Sequence, residues 1–282
     1  MKLRNVALLT ALVASSVSLH AQTWRTIDAS RQVHDTGAIA AHIDYAAGKL
    51  DLRPATGSAL YHVTTRYDAD QTDPVTRFDT ASRVLSLGVH LRSMHMSGGD
   101  HEDDAGSMLA ELNSAVPMDL SLDLGAVEAD LQLGGLHLTD LSLRSGAADV
   151  TARFNQPNRG TLRTMTLQVG AAQVKLMDVA NAGVSRIVAE VGAGSLSIDL
   201  GGTLARDVDI TATLAVGGLT LNVSPDEGVF VDERSFLGGF EKAGFTKKAD
   251  GWYSTNYDAA AHHVRVHLHA FAGGMTLTGM QK

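Results

Sequence analysis

The chain of 282 residues contains no cysteine, few prolines and few aromatic residues. Without cysteine it forms no disulfide, has no thiol nucleophile and offers no cysteine side chain for a lipid anchor. Aromatic residues make up 5% of the chain, so its interior must be built mainly from aliphatic side chains. The formal net charge is -8. Because binding to phosphate backbones requires clustered lysine and arginine, we expect no nucleic acid as a partner.

The first 21 residues have the pattern of a secretory signal. Residues 1–4 are basic, and residues 6–19 are mostly apolar and end shortly before Ala21, as in a signal peptide. This apolar run is too short for a membrane-spanning helix. We therefore predict cleavage after Ala21, no membrane span in the mature chain, and export to the periplasm, the cell surface or the medium.

Five copies of one pattern occupy the middle of the chain. Residues 165–176, for example, read Met-Thr-Leu-Gln-Val-Gly-Ala-Ala-Gln-Val-Lys-Leu. Strict alternation of apolar and polar residues is typical of half-buried strands, and the small residues between the two alternating runs permit a sharp bend. The copies lie at residues 120–131, 141–150, 165–176, 187–200 and 210–223.

The copies recur about every 21 to 24 residues, a spacing typical of solenoids, whose units are too small to bury their apolar faces alone. Stacked units would form parallel ladders. We therefore predict an all-β fold, a single-stranded parallel β-helix (β-solenoid) with short irregular capping segments, right-handed by the usual chirality of crossovers. Leu122, Leu143, Leu167 and Ala189 should then share one row in a dry interior.

A single domain is expected after the signal. We assign residues 22–282 to it, with divergent N-terminal coils and a polar loop at 22–115, the regular array at 116–224, and a capping segment with a final coil at 225–282. Within the capping segment, Ser235 is placed to begin a short helix with Phe236 and Phe240 on one face. The exposed ends of such a stack are candidate surfaces for end-to-end self-association.

Several motifs of the chain are shared with a known family. They are Val-Pro-Met-Asp-Leu-Ser-Leu-Asp-Leu-Gly-Ala at 116–126, Gly-Gly-Leu-His-Leu-Thr-Asp-Leu at 134–141, Asn-Gln-Pro-Asn at 155–158, and the segments 244–246, 251–253 and 256–258. On these motifs the chain resembles the toast-rack β-helical domains of bacterial cell-envelope proteins, which are grouped with putative adhesins and with proteins of the cell-wall stress response. The resemblance implies a β-helical architecture and an envelope role, and it supplies no catalytic residue.

Histidine, methionine and acidic residues gather between residues 90 and 104. Imidazole, thioether and carboxylate groups are ligands for copper and other late transition metals, so His95, Met96 and His101 are candidate metal ligands. The alternative is a solvated loop that contains histidine by composition. We favour that alternative because the ligand spacing of known zinc motifs is absent.

A second histidine group lies near the C-terminus. On a strand, His263, His267 and His269 would project to one side, while Val264 and Val266 project to the other. Such a row could bind a metal or titrate near neutral pH. We favour an exposed strand face.

Acidic residues recur beside the bends, but they do not share one position relative to the bend, so a catalytic carboxylate pair is not favoured. We predict an exported, non-enzymatic, envelope-associated β-helical protein, a putative adhesin or protein-interaction scaffold. It requires no cofactor, and its partner is a cell-envelope protein or polysaccharide. Two alternatives stay open: a carbohydrate-active β-helix enzyme, and a periplasmic metal-binding protein that uses the His/Met loop.

Overall fold

The computed structural model describes residues 23–55, 57–92, 106–201 and 204–279. Its strands are β1 (Trp24–Gln32), β2 (Ile39–Ala55), β3 (Ala59–Asp68), β4 (Thr72–Asp79), β5 (Val84–Leu91), β6 (Ser107–Asn113), β7 (Met118–Gln132), β8 (Leu138–Ser145), β9 (Asp149–Arg153), β10 (Thr164–Val169), β11 (Gln173–Met177), β12 (Arg186–Val191), β13 (Ser195–Leu200), β14 (Val208–Leu214), β15 (Gly218–Val223), β16 (Gly228–Phe240), β17 (Phe245–Lys247), β18 (Trp252–Ser254) and β19 (His263–Thr278). Short 3-10 turns lie at Val179–Ala182 and Tyr257–Ala259. The predicted all-β class is confirmed. Within these ranges no helix is long and apolar enough to cross a membrane.

The repeats build two parallel ladders. Ladder A runs in the order β5, β2, β7, β8, β10, β12, β14, β19, β16. Ladder B runs in the order β6, β2, β7, β9, β11, β13, β15, β19, β16. We call the strands that one repeat contributes to the two ladders a level. Four long strands, β2, β7, β16 and β19, pass through both ladders and supply a whole level each.

The interior rows follow the predicted alternation. Leu122, Leu143, Leu167 and Ala189 pair in register on successive levels, and each is at most 2% exposed. The same row continues to other levels at Ile43, Ala212 and Leu268. Because the buried side chains of both ladders form one continuous cluster, stacking supplies the core that a single repeat lacks.

The two ends of the stack are built out of chain order. β19 lies between β14 and β16 in ladder A and between β15 and β16 in ladder B, so β16 is the outermost level although it precedes β19. At the other end, β2 lies between β7 and the outer strands β5 and β6. Antiparallel strands extend this end: β4 pairs with β5, and β3 pairs with both β6 and β1. The stack is therefore parallel in its body and antiparallel at its N-terminal end.

The segment after the array differs from the predicted irregular cap. The predicted helix from Ser235 is wrong, because residues 228–240 form β16, which pairs in parallel with β19. Among the described strands, β18 is the second neighbour of β16, at Phe230 and Val231. From residue 232 to residue 240 the outer side of β16 is thus an open edge.

Candidate functional site

An open groove of about 1090 Å³ runs along ladder A where each repeat bends. Its floor consists of Gly146, Gly170, Gly192 and Ala215 on four successive levels. The levels approach closely here: a Cβ atom added to Gly170 would lie 2.8 Å from the carbonyl oxygen of Gly146. A shallow channel of backbone and small side chains results, running across the strands.

One row of outward-facing side chains forms the wall of the groove. In stack order it consists of Asp123, Arg144, Gln168, Glu190, Thr213, His269 and Arg234. Members of the row bond to each other between levels. The guanidinium of Arg144 donates to Asp123 at 3.0 Å, and the amide of Gln168 donates to Glu190 at 3.2 Å. Every member is exposed, so these groups remain available to a ligand.

Two phenylalanines line the end of the groove near the open edge. Phe271 on β19 and Phe236 on β16 occupy the positions that glycine or alanine holds on earlier levels, and their rings stack with centroids 5.6 Å apart and planes 12° apart. They are 64% and 74% exposed. Large exposed apolar side chains in a group mark interaction sites rather than core.

Sequence reasoning missed this pair. The signal was present, because Phe271 precedes the small residues of its bend as Gly170 does in the third copy. The sequence pattern places Phe236 on a short helix, and a helix would not align it with Phe271. The pairing of β16 with β19 brings the two rings together.

The carboxylates that flank the bends fall into separate places. Asp123 and Glu190 share the wall, but Arg144 and Gln168 lie between them, so they are three levels or about 14 Å apart. Asp119 and Asp140 are direct neighbours on β7 and β8, outside the groove. Partial burial and the charge of Asp140 raise the pKa of Asp119, while Asp140 forms an ion pair with Arg163.

The histidine row on β19 has the predicted orientation. Val264, Val266 and Leu268 are fully buried, and the histidines lie on the opposite face. His263 is 3.5 Å from Asp207, and His267 is 3.6 Å from Asp232. The His263 ring also contacts Tyr257, and the His267 ring contacts Phe230. These two histidines are therefore half-buried, and the expected exposed face is found at His269.

The candidate metal ligands His95, Met96 and His101 lie outside the described residues. Over the ranges that the structure describes, no group of three or more histidine or acidic side chains is placed to hold a metal ion.

Residues 18–176 match the family model described as the N-terminal domain of toast_rack, DUF2154. The match spans more than half of the chain, and the chain belongs to this family, which confirms the resemblance inferred from the motifs. Among curated proteins, none matches the chain.

Solved structures similar to the chain include three bacterial proteins. A putative cell adhesion protein from Clostridium sporogenes has 12% identity and a TM-score of 0.42, over 90% of this chain and 99% of that chain. A putative adhesin from Bacteroides fragilis has 9% identity and a TM-score of 0.39, over 91% and 98%. A putative lipid binding protein from Parabacteroides distasonis has 6% identity and a TM-score of 0.38, over 91% and 94%.

Proposed function

We propose that this chain is an exported, non-enzymatic binding protein of the bacterial cell envelope, an adhesin-like β-solenoid whose binding face is the groove on ladder A. The groove itself carries the proposal: it spans several levels and combines a small-residue floor, a polar wall and two exposed phenylalanines. Surface grooves with a few convergent polar groups are the usual form of a binding site. The stack holds these groups on strands, which keeps their spacing fixed.

Co-sedimentation of the purified chain with isolated cell-envelope fragments tests this role. Ala215→Arg would place a long charged side chain on the floor and should abolish binding. Thr220→Arg is the matched control, because Thr220 is exposed on ladder B, away from the groove. Equal binding by both variants would contradict the assignment of the groove as the binding face.

Export has a separate test. Fractionation of producing cells should place the chain outside the cytoplasm, and N-terminal sequencing should begin at Gln22. A cytoplasmic chain that retains residues 1–21 would contradict the proposal.

The main rival is a carbohydrate-active enzyme. A pair of carboxylates cleaves a glycosidic bond when they lie about 5 to 10 Å apart, and the two carboxylates of the groove wall are about 14 Å apart by level spacing. Asp119 and Asp140 are close enough, and the raised pKa of Asp119 is a property of catalytic acids. However, both project from the same face of one sheet rather than across a cleft. If the chain degrades a polysaccharide and Asp119→Asn abolishes this activity, the enzyme alternative would be established.

We also propose that β16 mediates end-to-end self-association. No described strand pairs with its outer edge over residues 232–240, and Leu237 on this edge is 59% exposed. A long open edge with apolar side chains favours pairing with another strand. Sedimentation velocity should show concentration-dependent association that Leu237→Lys prevents. Val216→Lys, which changes an equally exposed residue two levels away, should leave association intact, and a wild-type chain that stays monomeric would contradict the proposal.

A further inference from the structure

The wall of the groove repeats once per level. Neighbouring strands in a sheet lie about 4.7–4.9 Å apart, so a linear ligand lying along the stack meets one polar side chain at each such step. An extended polypeptide advances about 3.2–3.4 Å per residue. This rise differs from the spacing of the levels, so within a few residues the peptide groups would no longer lie opposite the wall residues. One pyranose unit of an extended polysaccharide advances by nearly one level. The spacing therefore favours a glycan over a peptide.

The polar groups of the wall suit a ligand rich in hydroxyl groups. Arg144 donates hydrogen bonds, Glu190 accepts them, and Gln168 and Thr213 do both. Each sugar hydroxyl likewise donates and accepts, so a row of mixed groups can satisfy a hydroxyl at every level. A wall of one sign would instead indicate an ionic polymer.

The charge of the wall is balanced. It carries two carboxylates, on Asp123 and Glu190, and two guanidinium groups, on Arg144 and Arg234, and no lysine lines the described groove. Arg144 and Asp123 already neutralise one another at 3.0 Å. A polyanion would require a cluster of basic side chains, so a neutral ligand complements this wall best.

The phenylalanine pair supplies the remaining contact. Phe236 and Phe271 offer apolar rings at the end of the polar row. Pyranose rings carry C–H groups on their faces, which pack against aromatic rings and bury apolar area. The pair therefore sits where the terminal sugar of a bound chain would stack.

Resting on the proposed function, we propose that the groove binds a neutral, linear hexose polymer that lies along the stack, with about one sugar per level and its terminal unit against Phe236 and Phe271. Binding of this kind requires length, because each further sugar reaches another wall residue. It also requires contacts near both ends of the groove, at Arg144 on the wall and at Phe236 in the phenylalanine pair.

Isothermal titration of the full chain with soluble oligosaccharides tests the inference. The probes are cellohexaose, laminarihexaose, cellobiose and hexagalacturonate. We expect at least one neutral hexasaccharide to bind at least about tenfold more tightly than the disaccharide, and hexagalacturonate to bind more weakly. Arg144→Ala and Phe236→Ala should each weaken the binding by about tenfold, as aromatic and arginine contacts at binding sites commonly do. Val216→Ala is the control, because Val216 is as exposed as the phenylalanines but does not line the groove.

Thermal melts of each variant establish that the fold is retained, which is expected because the altered side chains are exposed. Tighter binding of hexagalacturonate would overturn the neutral assignment, and equal binding of cellobiose and cellohexaose would overturn the lengthwise placement. If no oligosaccharide binds while envelope binding persists and depends on Ala215, the inference fails and the proposed function survives. If neither the oligosaccharides nor the cell-envelope fragments bind, both the inference and the proposed function are overturned.

Discussion

The Nδ1 atom of His62 on β3 lies 2.9 Å from a carboxylate oxygen of Glu111 on β6, and the Nε2 atom of the same ring lies 3.1 Å from Asp28 on β1. One imidazole thus joins three antiparallel strands at the N-terminal end of the stack. Its hydrogen bonds to Glu111 and Asp28 raise the pKa of His62 above its usual value of 6.5. The hydroxyl of Thr64 also donates to Asp28, and together with His62 it lowers the pKa of that carboxyl.

This arrangement predicts a pH-dependent stability. Because the folded state favours the protonated ring, its contribution is complete below pH 6.5 and is lost as the pH rises through the higher folded-state pKa. The Tm of the wild-type chain should exceed that of His62→Gln at pH 6, and the difference should shrink as the pH rises toward 9. If the difference in Tm stays constant over this pH range, protonation of the His62 ring is not coupled to folding.

Ser145 offers a test of packing beneath the groove. Its hydroxyl is buried between Leu124 and Val169, and it has no hydrogen-bond partner among the described residues. Since a buried unpaired hydroxyl costs about 1–3 kcal/mol, Ser145→Ala should raise the free energy of unfolding, by about 1 kcal/mol after the loss of packing. Urea unfolding measures the change.

Ser254 is the matched control for Ser145. It is also buried, but its hydroxyl bonds to the backbone N–H of Val229 and to the side chain of Asn256. Ser254→Ala should therefore destabilise the chain by about 1–3 kcal/mol. Equal effects at the two sites would contradict the assigned hydrogen bonding.

Gly217 and Gly218 are adjacent, yet substitution should affect them differently. A Cβ atom at Gly217 would lie 2.3 Å from the carbonyl oxygen of Gly194 on the previous level, whereas a Cβ atom at Gly218 would meet its nearest neighbour at 3.9 Å. Gly217→Ala should cost about 1–3 kcal/mol or more through overpacking, and Gly218→Ala should change stability by less than about 1 kcal/mol. Chemical denaturation measures the free energy of unfolding of both variants. A larger loss for Gly218→Ala than for Gly217→Ala would contradict the assigned position of the bend.

A substitution in an inward row should lower the free energy of unfolding strongly, whereas one in an outward row should change it little. Leu167 is fully buried, so Leu167→Asp should cost more than about 4 kcal/mol by burying an unpaired charge. Asp149 is exposed beside Glu128, so Asp149→Ala should change stability by less than about 0.5 kcal/mol. A thermal melt that ranks the two variants in the other order would refute the assignment of the rows.

The interior rows could be predicted from sequence because they depend on a local pattern. Leu143 and Leu167 alternate with polar neighbours and recur at a fixed spacing, and nothing else is needed to align them. The same pattern predicts divergent N-terminal coils within residues 22–115, and β2 in this range pairs with β7 on both sides of its bend.

The open edge and the groove depend on pairing between distant residues. Phe236 and Phe240 are spaced as on a helix. Their strand conformation follows from pairing with β19, in which each partner lies 35 residues later in the chain. Local pattern cannot decide between the two conformations when a tertiary partner supplies the stabilisation. The phenylalanine pair of the groove was missed for the same reason.

At each end of the stack the levels depart from chain order: β19 fills the level between β15 and the earlier strand β16, and β2 lies inside the later strands β5 and β6. An added repeat could not join either end without disrupting these pairings. In the body between β8 and β15 successive levels follow chain order, so a repeat could be duplicated there. Because the groove crosses this body, duplication of one repeat would lengthen the groove by one level and leave both ends of the groove unaltered. Descendants of one ancestor could therefore bind ligands of different lengths.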